Sequence, residues 1–107
     1  MLRWLAIFVV ALTIMTPALV WGPGATDSGI YNFIWTRQFG EAMASGQFYP
    51  RWLPDSFEGL GSPTFYFYPP FAFWVSGALD ALGFPTLQAI NGAAALLLLG
   101  SGASMYA

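Results

Sequence analysis

Apolar stretches separated by polar, turn-rich segments dominate the pattern of the chain. Residues 4 to 26 contain no charged side chain and are mostly apolar. At about 1.5 Å per helical residue, a run of this length crosses the roughly 30 Å hydrocarbon layer of a bilayer. We therefore predict a first transmembrane helix over residues 1–26, with Trp4 and Trp21 at its two interfaces with water.

The same N-terminal run is open to a second interpretation, a cleaved signal peptide. Arg3 followed by an apolar stretch satisfies both patterns. However, the run is longer than the apolar part of a typical signal peptide, which is about 7 to 15 residues. In addition, cleavage after Ala25 would place Pro23 where a small residue is required. Both features favour a retained helix.

Polar character is concentrated in residues 27–64, which hold most of the charged residues and many Gly and Pro. We expect this segment to lie in water or at the membrane surface. Apolar residues recur near helical spacing from Ile30 to Phe39, and Ser45 and Gly46 end the pattern. An amphipathic interfacial helix is therefore predicted over residues 28–45. The Pro and Gly residues that follow predict an ordered loop held by aromatic side chains.

Two further apolar runs complete the chain. Residues 65–83 begin with four aromatic residues and two prolines, a pattern typical of an aromatic belt leading into a helix. This predicted second transmembrane helix is short for a full crossing. Residues 84–107 lack charge and are rich in Gly, Ala and Ser, which predicts a third, tightly packed transmembrane helix. Because no polar flank follows it, we expect the chain to be the N-terminal part of a longer all-α, polytopic membrane protein.

Composition supports the membrane assignment and excludes several kinds of chemistry. Hydrophobic residues make up 57% of the chain and charged residues only 7%, against about 25% charged residues in soluble domains. With no Cys and no His in the sequence, disulfides, thiolate metal sites and imidazole bases are excluded. A net charge of -2 without a basic patch argues against nucleic-acid binding. Arg3 favours a cytoplasmic N-terminus, which places residues 22–64 outside.

Two residues of the polar segment are the leading candidates for chemistry. Asp27 follows the first apolar run, where a carboxylate can reach a lipid-linked substrate. Its alternative role is that of a helix cap, for which Asp is a preferred residue. Arg51 stands between Pro50 and Trp52 without a local partner, and its guanidinium suits phosphate through paired N–H donors.

Two further candidates have simpler explanations. Arg37 could contact phosphate, but Glu41 stands four residues later and predicts an ion pair on the helix surface. Asp55 and Glu58, three residues apart, could orient a substrate hydroxyl, although solvated loop charge is the plainer interpretation. Two carboxylates are too few for a convincing metal site, so we predict no metal and no cofactor.

Three short segments of the chain carry a family resemblance: Thr26–Tyr31, Tyr49–Asp55 and Phe67–Pro70. They resemble the first outer loop of bacterial membrane proteins of the GT-C glycosyltransferase superfamily. The most similar group is labelled 6-pyruvoyl-tetrahydropterin synthase-related integral membrane proteins. The resemblance covers residues 20–85 and does not extend to the apolar ends of the chain.

This resemblance implies a multi-pass enzyme of the bacterial inner membrane that transfers a sugar from a polyprenyl-phosphate donor on the outer face. It assigns the general base to an acidic residue just after the first span, a position that Asp27 matches. Arg51 is our candidate for the phosphate-binding cation, on physical grounds rather than by motif. The chain departs from the family at Tyr31 and Asn32, where many relatives carry a His. The segment alone is expected to be inactive, because it lacks most of a donor pocket.

The sequence is also compatible with two other functions. A small non-enzymatic scaffold or assembly subunit would use the aromatic loop to dock a membrane partner subunit. A flippase or transporter is suggested by Asp80, because ionisable residues within membrane helices are usually functional. The position of Asp80 near Gly83, at the cytoplasmic rim of the predicted second span, is a simpler explanation.

Overall fold

The computed structural model describes residues 1–22 and 29–107, and it confirms the all-α class. Apart from one isolated bridge between Leu53 and Ser62, the described residues form only helices, turns and loops. The helices in chain order are α1 (Leu2–Trp21), α2 (Gly29–Ala44), α3 (Thr64–Phe67), α4 (Phe71–Ala81) and α5 (Thr86–Tyr106).

Two of these helices, α1 and α5, are long and apolar enough to cross a membrane. They contain 20 and 21 residues, so each extends about 30 Å, which matches the hydrocarbon layer. Only 11% of the apolar stretch of each helix is buried within the protein. Most of their apolar side chains therefore point outward, as they do in a helix surrounded by lipid.

Helices α1 and α5 pack side by side in opposite directions. Ile7 lies against Gly102, where a methyl group on the glycine would come within 2.8 Å of Ile7 Cγ2. At the other end, the side-chain amide of Asn91 approaches the carbonyl oxygen of Ala18 at 3.5 Å. Among the described helices, α1 packs only against α5. The start of α1 thus lies beside the end of α5, and Trp21 lies where α5 begins.

The predicted second transmembrane helix, residues 65–83, is not present as one helix. It is divided into α3 and α4 by Pro69 and Pro70, because proline removes an amide donor and clashes with the preceding turn. Helix α4 has 11 residues and extends about 17 Å, roughly half of the hydrocarbon layer. Three successive crossings would make the first and last helices parallel, whereas α1 and α5 are antiparallel. The three-span arrangement is therefore not confirmed.

Helix α2 matches the predicted interfacial helix in position, but its buried face differs from the expected apolar stripe. The buried residues include two polar side chains, those of Thr36 and Gln38, next to Phe39. By contrast, Ile30 is 65% exposed. The reason is that α2 packs against other parts of the protein through polar and small residues as well as Phe39, and leaves part of its apolar surface outside.

The contact between α2 and α4 is built from small residues. A Cβ atom on Gly40 would lie 2.9 Å from the carbonyl oxygen of Gly77, and one on Gly77 would lie 3.3 Å from the Gly40 nitrogen. Beside them, the hydroxyl groups of Thr36 and Ser76 share a buried hydrogen bond of 3.1 Å. The two backbones therefore approach closely, and the polar groups between them are satisfied.

A small aromatic core lies next to this helix contact. Phe39, Leu53 and Phe65 are fully buried and form its centre. The rings of Phe39 and Phe65 meet edge to face, with centroids 5.0 Å apart. The Tyr49 hydroxyl donates a 2.9 Å hydrogen bond to the Phe65 carbonyl oxygen. These contacts connect the loop between α2 and α3 to the helices through aromatic side chains.

We predict that Gly40→Ala lowers the free energy of unfolding by about 1–3 kcal/mol, because the added methyl group meets the Gly77 backbone. Gly100→Ala is the matched control, since open space surrounds that glycine and alanine favours a helix by up to about 1 kcal/mol. Denaturation in detergent micelles, followed by tryptophan fluorescence, measures both. Equal stability of the two variants would show that the close contact contributes little.

The antiparallel pairing of α1 and α5 also predicts a membrane topology. The sequence has no native cysteine, so Leu2→Cys, Ser45→Cys and Leu82→Cys each provide a single label site. With a membrane-impermeant maleimide on oriented vesicles, we expect positions 45 and 82 to react from one side and position 2 from the other. Reaction of position 82 from the same side as position 2 would instead support three spans.

Candidate functional site

The candidate residues belong mainly to the loop between α2 and α3. A backbone bridge closes part of this loop: the Leu53 amide donates to the Ser62 carbonyl oxygen at 2.8 Å, and the Ser62 amide donates back at 2.9 Å. Within the closed segment, Phe57 and Glu58 have φ angles of 53° and 58°. This left-handed conformation costs a non-glycine residue about 1–3 kcal/mol and persists only where the surroundings enforce it.

Glycines allow the chain to return from this strained turn. Gly59 and Gly61 have φ angles of 90° and 81°, which glycine adopts without a steric penalty. The Gly61 amide donates a 2.8 Å hydrogen bond to the Ser56 carbonyl oxygen. The indole of Trp52 occupies the space that a side chain on Gly61 would need. The glycine and proline spacing seen in the sequence therefore shapes one compact loop.

Gln38 of α2 binds the loop through two side-chain hydrogen bonds. Its Oε1 atom accepts a hydrogen bond from the Asp55 amide at 3.1 Å, and its Nε2 atom donates to Ser56 Oγ at 3.2 Å. Both Gln38 and Ser56 are buried. No local sequence pattern indicates a role for Gln38, because its partners lie far along the chain. In the sequence, Gln38 is simply a polar residue that precedes Phe39 in a predicted helix.

Arg51 lies between aromatic rings rather than beside a carboxylate. Its guanidinium carbon is 4.9 Å from the ring centroid of Tyr49 and 5.6 Å from that of Tyr66. Within residues 1–22 and 29–107, no carboxylate forms an ion pair with it. A guanidinium that rests on ring faces keeps its edge N–H donors available for a ligand. The sequence indicated the exposed cation, whereas only the structure identified its tyrosine partners.

Arg37 forms the ion pair that its spacing predicted. Its Nε atom donates to Glu41 Oε1 at 3.1 Å, and both side chains are more than half exposed. Such pairs on a helix surface contribute only about 0.3–0.5 kcal/mol. The pair nevertheless occupies Arg37, which makes it a weaker phosphate candidate than Arg51.

Asp55 and Glu58 border a cavity of about 320 Å³ beside the first half of α2. Its aromatic lining comes from Tyr31, Trp35 and Phe57. In the described part of the chain, neither carboxylate is ion-paired with Arg51. The structure thus places the candidate cation among tyrosines and the candidate carboxylates at a separate cavity. Asp27 lies outside the described residues.

Asp80 is engaged in helix packing. Its Oδ1 atom accepts a 2.9 Å hydrogen bond from the Thr86 hydroxyl at the start of α5. Its other oxygen faces Gly40, where an added Cβ atom would approach it to 2.7 Å. Asp80 therefore connects three helices, α2, α4 and α5, at one corner. This contact accounts for a carboxylate in an apolar helix without a transport role.

Comparison of the chain with protein-family models, with curated proteins and with solved structures finds no match. Function is therefore inferred from the side chains described above.

We predict that Gln38→Leu releases the loop from α2, because the Asp55 amide and the Ser56 hydroxyl lose their partner. An unsatisfied buried polar group costs about 1–3 kcal/mol, so exchange of the Asp55 amide with deuterium should become about ten-fold faster or more. Gln47→Leu is the control, since Gln47 is exposed and makes neither bond. Unchanged exchange in Gln38→Leu would contradict the proposed link.

Proposed function

We propose that this chain forms the N-terminal part of a bacterial inner-membrane glycosyltransferase that uses a polyprenyl-phosphate sugar donor on the outer face. The observation that supports it best is the exposed Arg51, held by two tyrosine rings and without an acidic partner among the described residues. The family resemblance of the loop supports the same assignment. The proposal requires no bound cofactor.

The placement of Arg51 suits a phosphate at the membrane surface. Tyr49 and Tyr66 have amphipathic rings of the kind enriched at membrane interfaces. They restrict the guanidinium before a ligand binds, which lowers the ordering cost of binding. A planar guanidinium can then donate two parallel hydrogen bonds to one phosphate group. The isoprenoid part of the donor would remain in the adjacent bilayer.

The proposed topology places the loop on the same side as the donor. In this arrangement α1 and α5 cross the membrane as an antiparallel pair, and residues 22–85 lie outside. Arg3 favours a cytoplasmic N-terminus of α1. The antiparallel packing then places the C-terminus of α5 on the same side. Helices α2, α3 and α4 and the loops between them, called the cap below, would then lie outside, with α2 and α4 packed against α5.

Asp27 is the proposed general base. Its carboxylate would accept the proton of the acceptor hydroxyl as the acceptor oxygen bonds to the anomeric carbon of the sugar. The bond between that carbon and the phosphate oxygen breaks, and its electron pair leaves with the phosphate. Arg51 would stabilise the negative charge on the leaving phosphate. Support for Asp27 comes from its position in the sequence between the first span and α2.

Exposed apolar side chains favour one alternative, a scaffold subunit that docks a membrane partner. Phe48, Leu60 and Phe67 of the cap are each more than three-quarters exposed. Exposed apolar surface marks contact with either lipid or protein. The scaffold function requires neither phosphate binding nor sugar transfer, so the experiment below separates the two proposals.

We predict that Arg51→Ala weakens binding of polyprenyl phosphate by about ten-fold or more, the value of one lost charge-assisted contact. Arg37→Ala is the matched control, because it removes the same charge from a residue that is already paired; we expect a change of less than about two-fold. Native mass spectrometry of the protein in nanodiscs measures both. Equal binding by the two variants would remove the phosphate role of Arg51.

The Asp27→Asn variant completes this experiment. In membranes that carry the whole gene product, it should keep donor binding and lose sugar transfer, because asparagine cannot accept the acceptor proton. Normal transfer would exclude Asp27 as the base. Absence of both binding and transfer in the unmodified protein, together with a stable membrane partner, would favour the scaffold function.

A further inference from the structure

The cavity between α2 and the strained turn has a chemical character opposite to that of the Arg51 site. It has a volume of about 320 Å³, within the range of roughly 300–1,000 Å³ found for small-molecule sites. Aromatic side chains and two carboxylate-bearing residues, Asp55 and Glu58, share its lining. This combination is suited to a positively charged organic ligand.

Three aromatic residues, Tyr31, Trp35 and Phe57, belong to the lining of the cavity. Tyr31 and Trp35 lie one helical turn apart on α2, with ring centroids 6.0 Å apart and planes tilted by 45°. Phe57, in the loop between α2 and α3, is 65% exposed although it is apolar. The negative face of an aromatic ring attracts a cation that approaches within about 6 Å of its centroid. A ligand that covers Phe57 would also remove apolar surface from water.

The charged groups in the lining favour a positively charged ligand over a negatively charged one. The chain has only three positively charged side chains, all arginines. None of them lines the cavity: Arg37 pairs with Glu41, Arg51 lies on its tyrosines, and Arg3 belongs to α1. The two carboxylates therefore have no neutralising partner within the described lining. An anion would be repelled there, whereas a ligand with a positive charge would be attracted.

Two residues of the lining, Phe57 and Glu58, also have an unusual backbone conformation. Phe57 and Glu58 adopt left-handed φ angles on consecutive residues, an arrangement that is unfavourable for side chains other than glycine. Gln38 and the Leu53–Ser62 bridge hold the flanking residues. Strained backbone held in this way is concentrated at ligand sites and switches.

We propose that this cavity binds an organic ammonium group, with Tyr31 and Phe57 contacting the cation and Glu58 supplying the charge. The inference goes beyond the proposed glycosyl transfer and does not depend on it. Binding would be reversible and involve no covalent step. The ammonium could belong to a lipid headgroup or to a free small molecule, because both present the same charged group.

The test compares choline with 3,3-dimethylbutanol, a neutral molecule of the same shape, by isothermal titration of the protein in nanodiscs of uncharged lipid without amine headgroups. We expect choline to bind at least about three-fold more tightly, the effect of a cation at aromatic rings. Equal binding of the two molecules, or no binding of choline, would overturn the proposal.

Two exposed residues test the site without disturbing the core. Glu58→Gln and Tyr31→Leu should each weaken choline binding by about three- to ten-fold. Glu41→Gln and Tyr106→Leu make the same chemical changes away from the cavity and should leave binding unchanged. An equal loss in the cavity variants and their controls would contradict the assignment.

Two further measurements separate this proposal from the phosphate site and identify the source of the ammonium group. Arg51→Ala should leave choline binding unchanged, so the two sites can fail independently; a loss in that variant would contradict a separate ammonium site. Vesicles with phosphatidylethanolamine should compete with choline if a lipid headgroup is the natural source. Lack of competition would assign the site to a free ammonium ligand.

Discussion

The close approach of α2 and α4 at Gly40 and Gly77 determines how the helices and loops between α1 and α5 are arranged. Because neither residue has a side chain, the two backbones come near enough for the hydroxyls of Thr36 and Ser76 to share a buried hydrogen bond. The same approach places Phe39 against its neighbours in the aromatic core. A bulkier residue in this contact would move α4 away from α2 and separate both the polar and the aromatic contacts.

Helix α2 then supports the loop between α2 and α3. Phe39 packs against the buried residues of the loop, and the neighbouring Gln38 binds it through hydrogen bonds. The apolar contact provides most of the burial, and the polar contact fixes the position of the turn. Together they explain how Phe57 and Glu58 can hold an unfavourable backbone conformation at the rim of a cavity.

Charged groups are separated across the cap rather than gathered in one site. Arg51 lies on tyrosine rings, whereas Asp55 and Glu58 border a cavity without a cation among its described residues. This separation keeps one surface suited to an anion and another suited to a cation. It also shows why a phosphate site and an ammonium site can be proposed for a chain with so few charges.

The amino-acid sequence by itself determined the features that depend on neighbouring residues: the two long apolar helices, the helix after residue 28 and the Arg37–Glu41 pair. Pro69 and Pro70 divide residues 65–83 into two helices, whereas tertiary structure alone decided that the first of these helices packs within the protein. Hydropathy counts apolar residues without telling whether lipid or protein surrounds them, and Phe65 is buried in a protein core. The tertiary structure also decided the partners of Gln38 and Arg51, because contacts between residues far apart in the chain depend on how the helices pack and leave no local pattern.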